Sequence, residues 1–523
     1  MRLVLILAAA ALAGAQSKVW VADNGNGTYK NPILYADYSD PDVVRAGDDY
    51  YLTASSFNAV PGLPVLHSKD LVNWELIGHV FAAQPPFEIF AAPQHGGGVW
   101  APAIRHHNGE FSIYYPDPDI GIYLVKAKDP AGPWSAPLLI KAAKGWIDPC
   151  PFWDDDGKAY LVNAMAASRS GVKSVIVISR LSADGTKLLD SGAIVYDGHD
   201  LDPTIEGPKI YKRNGYYYIA APGGGVPTGW QVVLRSKNIY GPYERKVTLA
   251  QGKTPVNGPH QGGWVDTPSG EWWFLHFQDK GLYGRILHLE PMKWVDDWPV
   301  MGNAGEPVLT YRKPAAGKNS PILTPPDSDE FDGSALGLQW QWHANPQPSW
   351  AFPSAALGVV RMFCVPLPKD FKNLWDAGNL LLQKFMAPEF RATTKVTFHP
   401  RAEGDRVGLV VMGADYATLA LTNTAAGVAI SQARCLKADR GSPEKTTPPV
   451  VVKEATVYLR VQVAAGGICL FSYSTDGTRF TPIGEAFTAV PGRWIGAKVG
   501  LFANRAAAGG ESGYADFDWF RVE

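Results

Sequence analysis

The chain has 523 residues, with 48 Lys and Arg against 50 Asp and Glu, a formal charge of -2. That balance excludes a basic nucleic-acid footprint and an acidic disordered tail. Hydrophobic residues at 46% and charged residues at 19% allow a large core, and 54 Gly, 42 Pro and 12% aromatics describe short strands joined by tight turns rather than a helix bundle.

Residues 1–15 read as a signal peptide: Met1-Arg2, an apolar run from Leu3 to Ala13, then the small residues Ala13-Gly14-Ala15 before Gln16. The run is too short to span a bilayer and no later stretch is long enough. The expectation is therefore a secreted protein, extracellular or periplasmic, with no membrane and no nucleic acid among its partners. Cys150, Cys364, Cys435 and Cys469 have no metal-type spacing. Most are expected to be buried thiols, with a Cys435–Cys469 disulfide as the alternative.

An internal repeat runs from residue 40 to about 300, within a domain read over residues 28–312. Stretches starting at Asp40, Ala101, Asp148, Glu206 and Gly262 each read as a short strand, a Gly-containing turn and an aromatic second strand. Further strands such as Val175-Ile-Val-Ile-Ser-Arg lie between them. A period near ~50 residues with several strands per unit predicts a β-propeller, here of five blades. Residues 313–326 are dense in Pro and Gly and read as a linker. Alternating segments return over 327–523 and predict a β-sandwich, so the fold class is all-β.

Repeat units place equivalent residues at equivalent radii around one axis. The residues that open repeats one, three and four are Asp40, Asp148 and Glu206, so these carboxyls are expected to share a central pit. Crowded carboxyls repel, and one of them keeps a proton near neutral pH. A protonated acid beside an ionised base is the requirement of glycoside hydrolysis. A single Asp-Pro is turn chemistry; three acids at one repeat phase are harder to explain that way.

These residues resemble glycoside hydrolase family 43. The likeness is carried by Asn31-Pro-Ile-Leu-Tyr-Ala-Asp-Tyr-Ser-Asp-Pro-Asp, Val99-Trp-Ala-Pro, Ile147-Asp-Pro, Glu206-Gly-Pro-Lys-Ile-Tyr-Lys and Gly284-Arg-Ile-Leu-His-Leu-Glu-Pro-Met-Lys-Trp. Asp329-Glu-Phe-Asp-Gly opens a stretch similar to the concanavalin-like, jelly-roll domain of its β-xylosidase-like members. The resemblance implies an inverting exo-glycosidase that releases α-L-arabinofuranosyl or β-D-xylosyl residues from plant cell-wall oligo- or polysaccharides. It implies Asp40 as general base, Glu206 as general acid and Asp148 as the group that tunes and orients Glu206. Asp42 is a rival base, since residues two apart share a strand face, but the family motif falls on Asp40.

The same resemblance implies substrate contacts from Phe57, Trp100, His260 and Arg285. Aromatic rings stack on sugar C–H faces, and Arg285 would donate to hydroxyls. In related enzymes a His at the place of His260 lies near the axis, sometimes beside a structural calcium; it also reads as a core histidine. The chemistry requires no cofactor; a structural calcium is compatible with the resemblance, but calcium prefers several oxygen ligands and the sequence has no EF-type loop, so the metal stays unknown. Glu330, Asp332, Asp516 and Asp518 read as solvated turn and edge residues rather than a calcium site. Gly223-Gly-Gly-Val-Pro-Thr-Gly-Trp-Gln departs from the Glu-Gly-Gly-Thr pattern of β-xylosidases, which leans towards arabinofuranosyl substrates. The competing readings are a retaining sucrose- or fructan-type propeller hydrolase and a non-catalytic sugar-binding propeller. Oligomeric state is not legible.

Overall fold

The computed structural model describes residues 16–317, 320–506 and 509–523. The proposed signal peptide lies outside the described residues. Five sheets of four antiparallel strands follow one another in sequence. Their innermost strands are Asp42–Ala46, Ala103–His107, Trp146–Trp153, Lys209–Arg213 and His260–Asp266. Each sheet is a meander, so each blade forms from one contiguous segment of chain.

Turn chemistry explains the first hairpin of each blade. In blades 2 and 4 the turns Asn108-Gly109 and Asn214-Gly215 have positive φ at both residues (52° and 74°; 50° and 74°). That is the left-handed pair that matches the twist of an antiparallel hairpin, and Asn-Gly is the dipeptide that adopts it most readily. Strand alternation then divides the aromatic and aliphatic residues between neighbouring blades. Ile113 packs with Leu63 and Val65 of blade 1, while the adjacent Tyr114 packs with Leu161 and Leu181 of blade 3. Trp273 and Leu275 face Tyr50 and Leu52 of blade 1, and Phe274 between them faces Tyr218 and Val233 of blade 4. Both faces of each blade are thus apolar, and burial between blades closes the ring. A two-stranded clasp, Thr28–Lys30 with Thr310–Arg312, and a bridge from Leu34 to Leu287 tie the ends of the propeller together.

The segment after the clasp lies against blade 1. Lys313 pairs with Asp23 and Asp70, and Leu323 donates its N–H to Asn73. The C-terminal region is a sandwich of a nine-stranded and an eight-stranded sheet. Its core, with Leu409, Leu419, Val457, Leu459 and Phe517, continues into Tyr35, Val60, Tyr283 and Ile286 of the propeller. Val60 and Trp342 also exchange backbone hydrogen bonds across the boundary. The two domains therefore share an apolar interior.

All four cysteines are free and buried. Cys435 and Cys469 lie in different sheets of the sandwich and both are free thiols, so the Cys435–Cys469 disulfide is not formed. Glu330 and Asp516 are engaged in forked pairs with Arg521 and Arg361, and Asp518 with Lys395.

Candidate active site

The innermost strands open on one pit of about 150 Å³. Each blade contributes one residue from the mouth of its inner strand: Asp40, Ala101, Asp148, Glu206 and Gln261. Phe57, Trp100, Ile147, Val226 and Arg285 complete the propeller's share of the wall. The repeat phase read in the sequence thus delivers the expected carboxyls to one cavity. In the fifth blade the wall residue is Gln261, one position before the predicted repeat start and one after His260. A turn glycine marks the register: Asp148, Glu206 and Gln261 each stand nine residues before Gly157, Gly215 and Gly270.

Asp40 sits at φ 52°, ahead of its strand, and is almost fully buried. Its Oδ2 accepts hydrogen bonds from Ser39 Oγ (2.8 Å), Ser55 Oγ (2.7 Å) and Arg285 Nη1 (3.0 Å). Its Oδ1 accepts from Arg285 Nη1 at 2.8 Å and keeps lone-pair capacity for a further donor. Arg285 is itself buried, lies 4.9 Å over the Phe277 ring and also donates to Ser39. It lines the pit as expected, but its guanidinium is spent largely on orienting Asp40.

Asp42 is not in the pit. Its carboxylate is fully buried and accepts from the Ile104 N–H (2.9 Å) and Arg105 Nη1 (2.6 Å) of blade 2. The left-handed backbone at Asp40 interrupts strand alternation, so residues 40 and 42 do not share a face. Asp42 is an inter-blade pin and does not line the pit.

Asp148, also left-handed at φ 56°, lies at a register shift of its strand and accepts from the Gly207 N–H at 2.7 Å. Burial and the neighbouring Glu206 carboxylate push its pKa well above the usual Asp range. Glu206 is the most accessible of the three: its side chain is 32% exposed, whereas that of Asp40 is 7%. The fully buried His260 holds Glu206, with Nε2 at 3.0 Å from Oε1. His260 therefore stands behind Glu206 rather than on the wall, and Gln261 takes the wall position expected of it.

Phe57 (φ 52°) exchanges backbone bonds with Val99 and closes one side of the pit. Trp100 is anchored by its Nε1–H to the Gly96 carbonyl at 2.8 Å. Val226 belongs to the Gly223–Gln231 loop, which reaches the rim as its sequence suggested. One wall residue had no signal in the repeat. Trp494 comes from the sandwich, on a loop preceding strand Lys498–Arg505, and enters the pit beside Trp100. Asp37 secures this loop, accepting from the Arg285 N–H at 3.0 Å and the Gly496 N–H at 2.9 Å. Gly284 and Gly496 are needed at this junction: a Cβ on Gly284 would lie 2.4 Å from the Asp37 carboxyl carbon, and one on Gly496 2.7 Å from Gly284 N.

Three carboxyls at the floor, one fixed by an arginine and two in mutual contact through charge, with aromatic rings around the mouth, define a glycosidase. Comparison with known proteins specifies the kind. Residues 29–299 match the model of glycosyl hydrolases family 43, and residues 328–523 match that of the beta xylosidase C-terminal concanavalin A-like domain. A protein of Xylanibacter ruminicola named for beta-xylosidase activity is 40% identical, over 92% of this chain and 88% of its own. A non-reducing end alpha-L-arabinofuranosidase of Bacteroides ovatus is 29% identical over 94% of each. The crystal structure of a family 43 protein from Bacillus licheniformis superposes with a TM-score of 0.81 at 28% identity, covering 95% of this chain and 99% of the other. The chain belongs to glycosyl hydrolase family 43.

Proposed function

We propose that this glycosidase acts from chain ends and releases single pentosyl residues, α-L-arabinofuranosyl or β-D-xylosyl, from plant cell-wall oligo- or polysaccharides, with inversion at the anomeric carbon. The observation that carries the exo reading is the size and closure of the pit. At about 150 Å³ it is smaller than the ~300–1,000 Å³ of pockets for drug-sized ligands, and Trp494 blocks one side, so one sugar ring fits and a continuing polymer does not.

The residues divide the work. Asp40, fixed by Arg285, Ser39 and Ser55, takes the proton of a water through its available Oδ1 lone pair as that water attacks the anomeric carbon. Glu206, the carboxyl nearest to solvent, gives its proton to the departing oxygen, which must leave towards the mouth. Asp148, whose pKa is raised by burial and then by the neighbouring Glu206 charge, holds a proton close behind the reacting groups and orients them. Trp100, Phe57 and Trp494 offer ring faces to the sugar, and Gln261 offers an amide to its hydroxyls. Residues 1–15 support export of the mature chain.

The deciding experiment follows the first product by proton NMR and compares nitrophenyl α-L-arabinofuranoside with nitrophenyl β-D-xyloside. Release of one pentose with the anomer inverted is expected. A retained anomer, or internal cleavage of a xylan chain, would overturn the reading.

A further inference from the structure

A second group of ionisable side chains lies away from the pit. His276 on strand Trp272–Asp279 and His288 and Glu290 on strand Arg285–Val295 belong to neighbouring strands of blade 5. They are 0%, 2% and 0% exposed. One ligand atom from each lies within 4.8 Å of the other two. The strands place them together by register, since His276 pairs directly with His288 and Phe274 with Glu290. All three side chains lie on the face that also carries Phe274 and Met292, turned towards blade 4.

The hydrogen bonds around the cluster are those of oriented metal ligands. His276 Nδ1 lies 3.0 Å from the Phe277 carbonyl, which accepts an Nδ1–H and leaves the Nε2 lone pair free. That Nε2 points to Glu290 Oε1 at 3.4 Å, the separation of two ligands set ~2.0–2.2 Å from a tetrahedral ion. Glu290 Oε2 is fixed by the Val308 N–H at 2.8 Å, while Asn31 Nδ2 stands 3.5 Å from Oε1. His288 is the telling member. Both of its ring nitrogens are buried without any hydrogen-bond partner, although a buried imidazole left unpaired is costly. Its ring stacks on that of His276 with centroids 5.4 Å apart, which keeps the two imidazoles side by side.

We infer that His276, His288 and Glu290 form a structural site for a divalent transition-metal cation of the zinc class, bound between blades 4 and 5. Two imidazoles and one carboxylate suit such ions, whereas calcium and magnesium take oxygen ligands. A bound cation takes one of the two orphaned His288 nitrogens and balances the Glu290 charge. The site takes no part in the hydrolysis, because none of its residues lines the pit. Its effect is on blade 5. His276 is the register partner of Gly262, next to the shift in that strand that delivers His260 and Gln261 to the pit.

The test uses the untagged full-length chain, produced in medium supplemented with zinc or with cobalt, and measures metal by mass spectrometry after extensive dialysis. Stoichiometric metal is expected. The cobalt form should show the intense visible bands of a low-coordinate nitrogen and oxygen site, and prolonged exposure to a strong chelator should lower the melting temperature. His288→Leu should lose at least nine-tenths of the metal while its hydrolytic rate stays within a few-fold of the parent. If that variant fails to fold, the wild-type metal content and cobalt spectrum decide alone. A wild-type chain that carries no metal and gains no thermal stability from zinc or cobalt overturns the inference. So does metal retained in full by His288→Leu, or a weak octahedral cobalt spectrum.

Discussion

Trp494 of the sandwich meets Trp100 of blade 2 edge to face, with ring centroids 6.4 Å apart and planes at 69°. Both rings line the pit, so its wall is completed by a domain that supplies none of the carboxyls. Trp494 itself remains 50% exposed, with the remainder of its surface available to a sugar. Trp494→Ala removes an aromatic face worth about 1–2 kcal/mol of contact. It should lower kcat/KM about tenfold, with thermal stability almost unchanged. Steady-state kinetics on a nitrophenyl pentoside checks this; an unchanged kcat/KM would show that the ring does not meet the substrate.

Leaving-group chemistry separates the acid from the base. Loss of proton transfer costs roughly 10²–10⁴-fold. Glu206→Ala should lose that much on natural oligosaccharides but far less on aryl glycosides, whose leaving groups depart without a proton. Asp40→Ala should be equally poor on both. Equal losses for Glu206→Ala on the two substrate types would reverse the assignment.

Arg285 holds Asp40 through both carboxylate oxygens. Lysine cannot reproduce the planar guanidinium. Arg285→Lys should therefore lower kcat by about 10²-fold through misplacement of the base, with a smaller change in KM. A change confined to KM would instead make Arg285 a binding residue.

Asp42 and Asp40 stand two residues apart and should fail differently. Asp42→Asn leaves the buried Arg105 guanidinium without its anion, at a cost of about 3–5 kcal/mol. The folded fraction should retain its turnover. Asp40→Asn should keep the fold and lose the activity. Denaturant unfolding alongside rates per folded molecule distinguishes the two; a stable but inactive Asp42→Asn would restore it as base.

The pH response of stability follows from Asp148, whose pKa burial and Glu206 raise. With the folded pKa above the unfolded one, the native state keeps a proton that the unfolded chain releases. The contribution to stability is then lost as pH rises from the ordinary Asp value of ~3.9 through the raised one. Asp148→Asn removes this penalty. Its melting temperature should exceed that of the parent by several degrees near pH ~7, and the gap should close near pH ~4, while activity falls. Calorimetry at the two values tests the sign; a gap that widens on acidification contradicts it.

Short-range chemistry made the propeller and its three acids legible. Asn-Gly turns, aromatic second strands and acids at a common repeat phase are local properties, and ring symmetry converts equal phase into equal position. Asp40, Asp148 and Glu206 were readable for that reason. What local pattern could not decide was which of two near neighbours enters the pit. Asp40 rather than Asp42, and Gln261 rather than His260, depend on left-handed residues and strand irregularities that break the two-residue period. Trp494 depends on the docking of two domains through a shared core, a contact between segments more than 390 residues apart from Trp100 in sequence. Periodicity fixes what lies along a strand, whereas register and docking fix what faces what, and only the packed tertiary structure settles those.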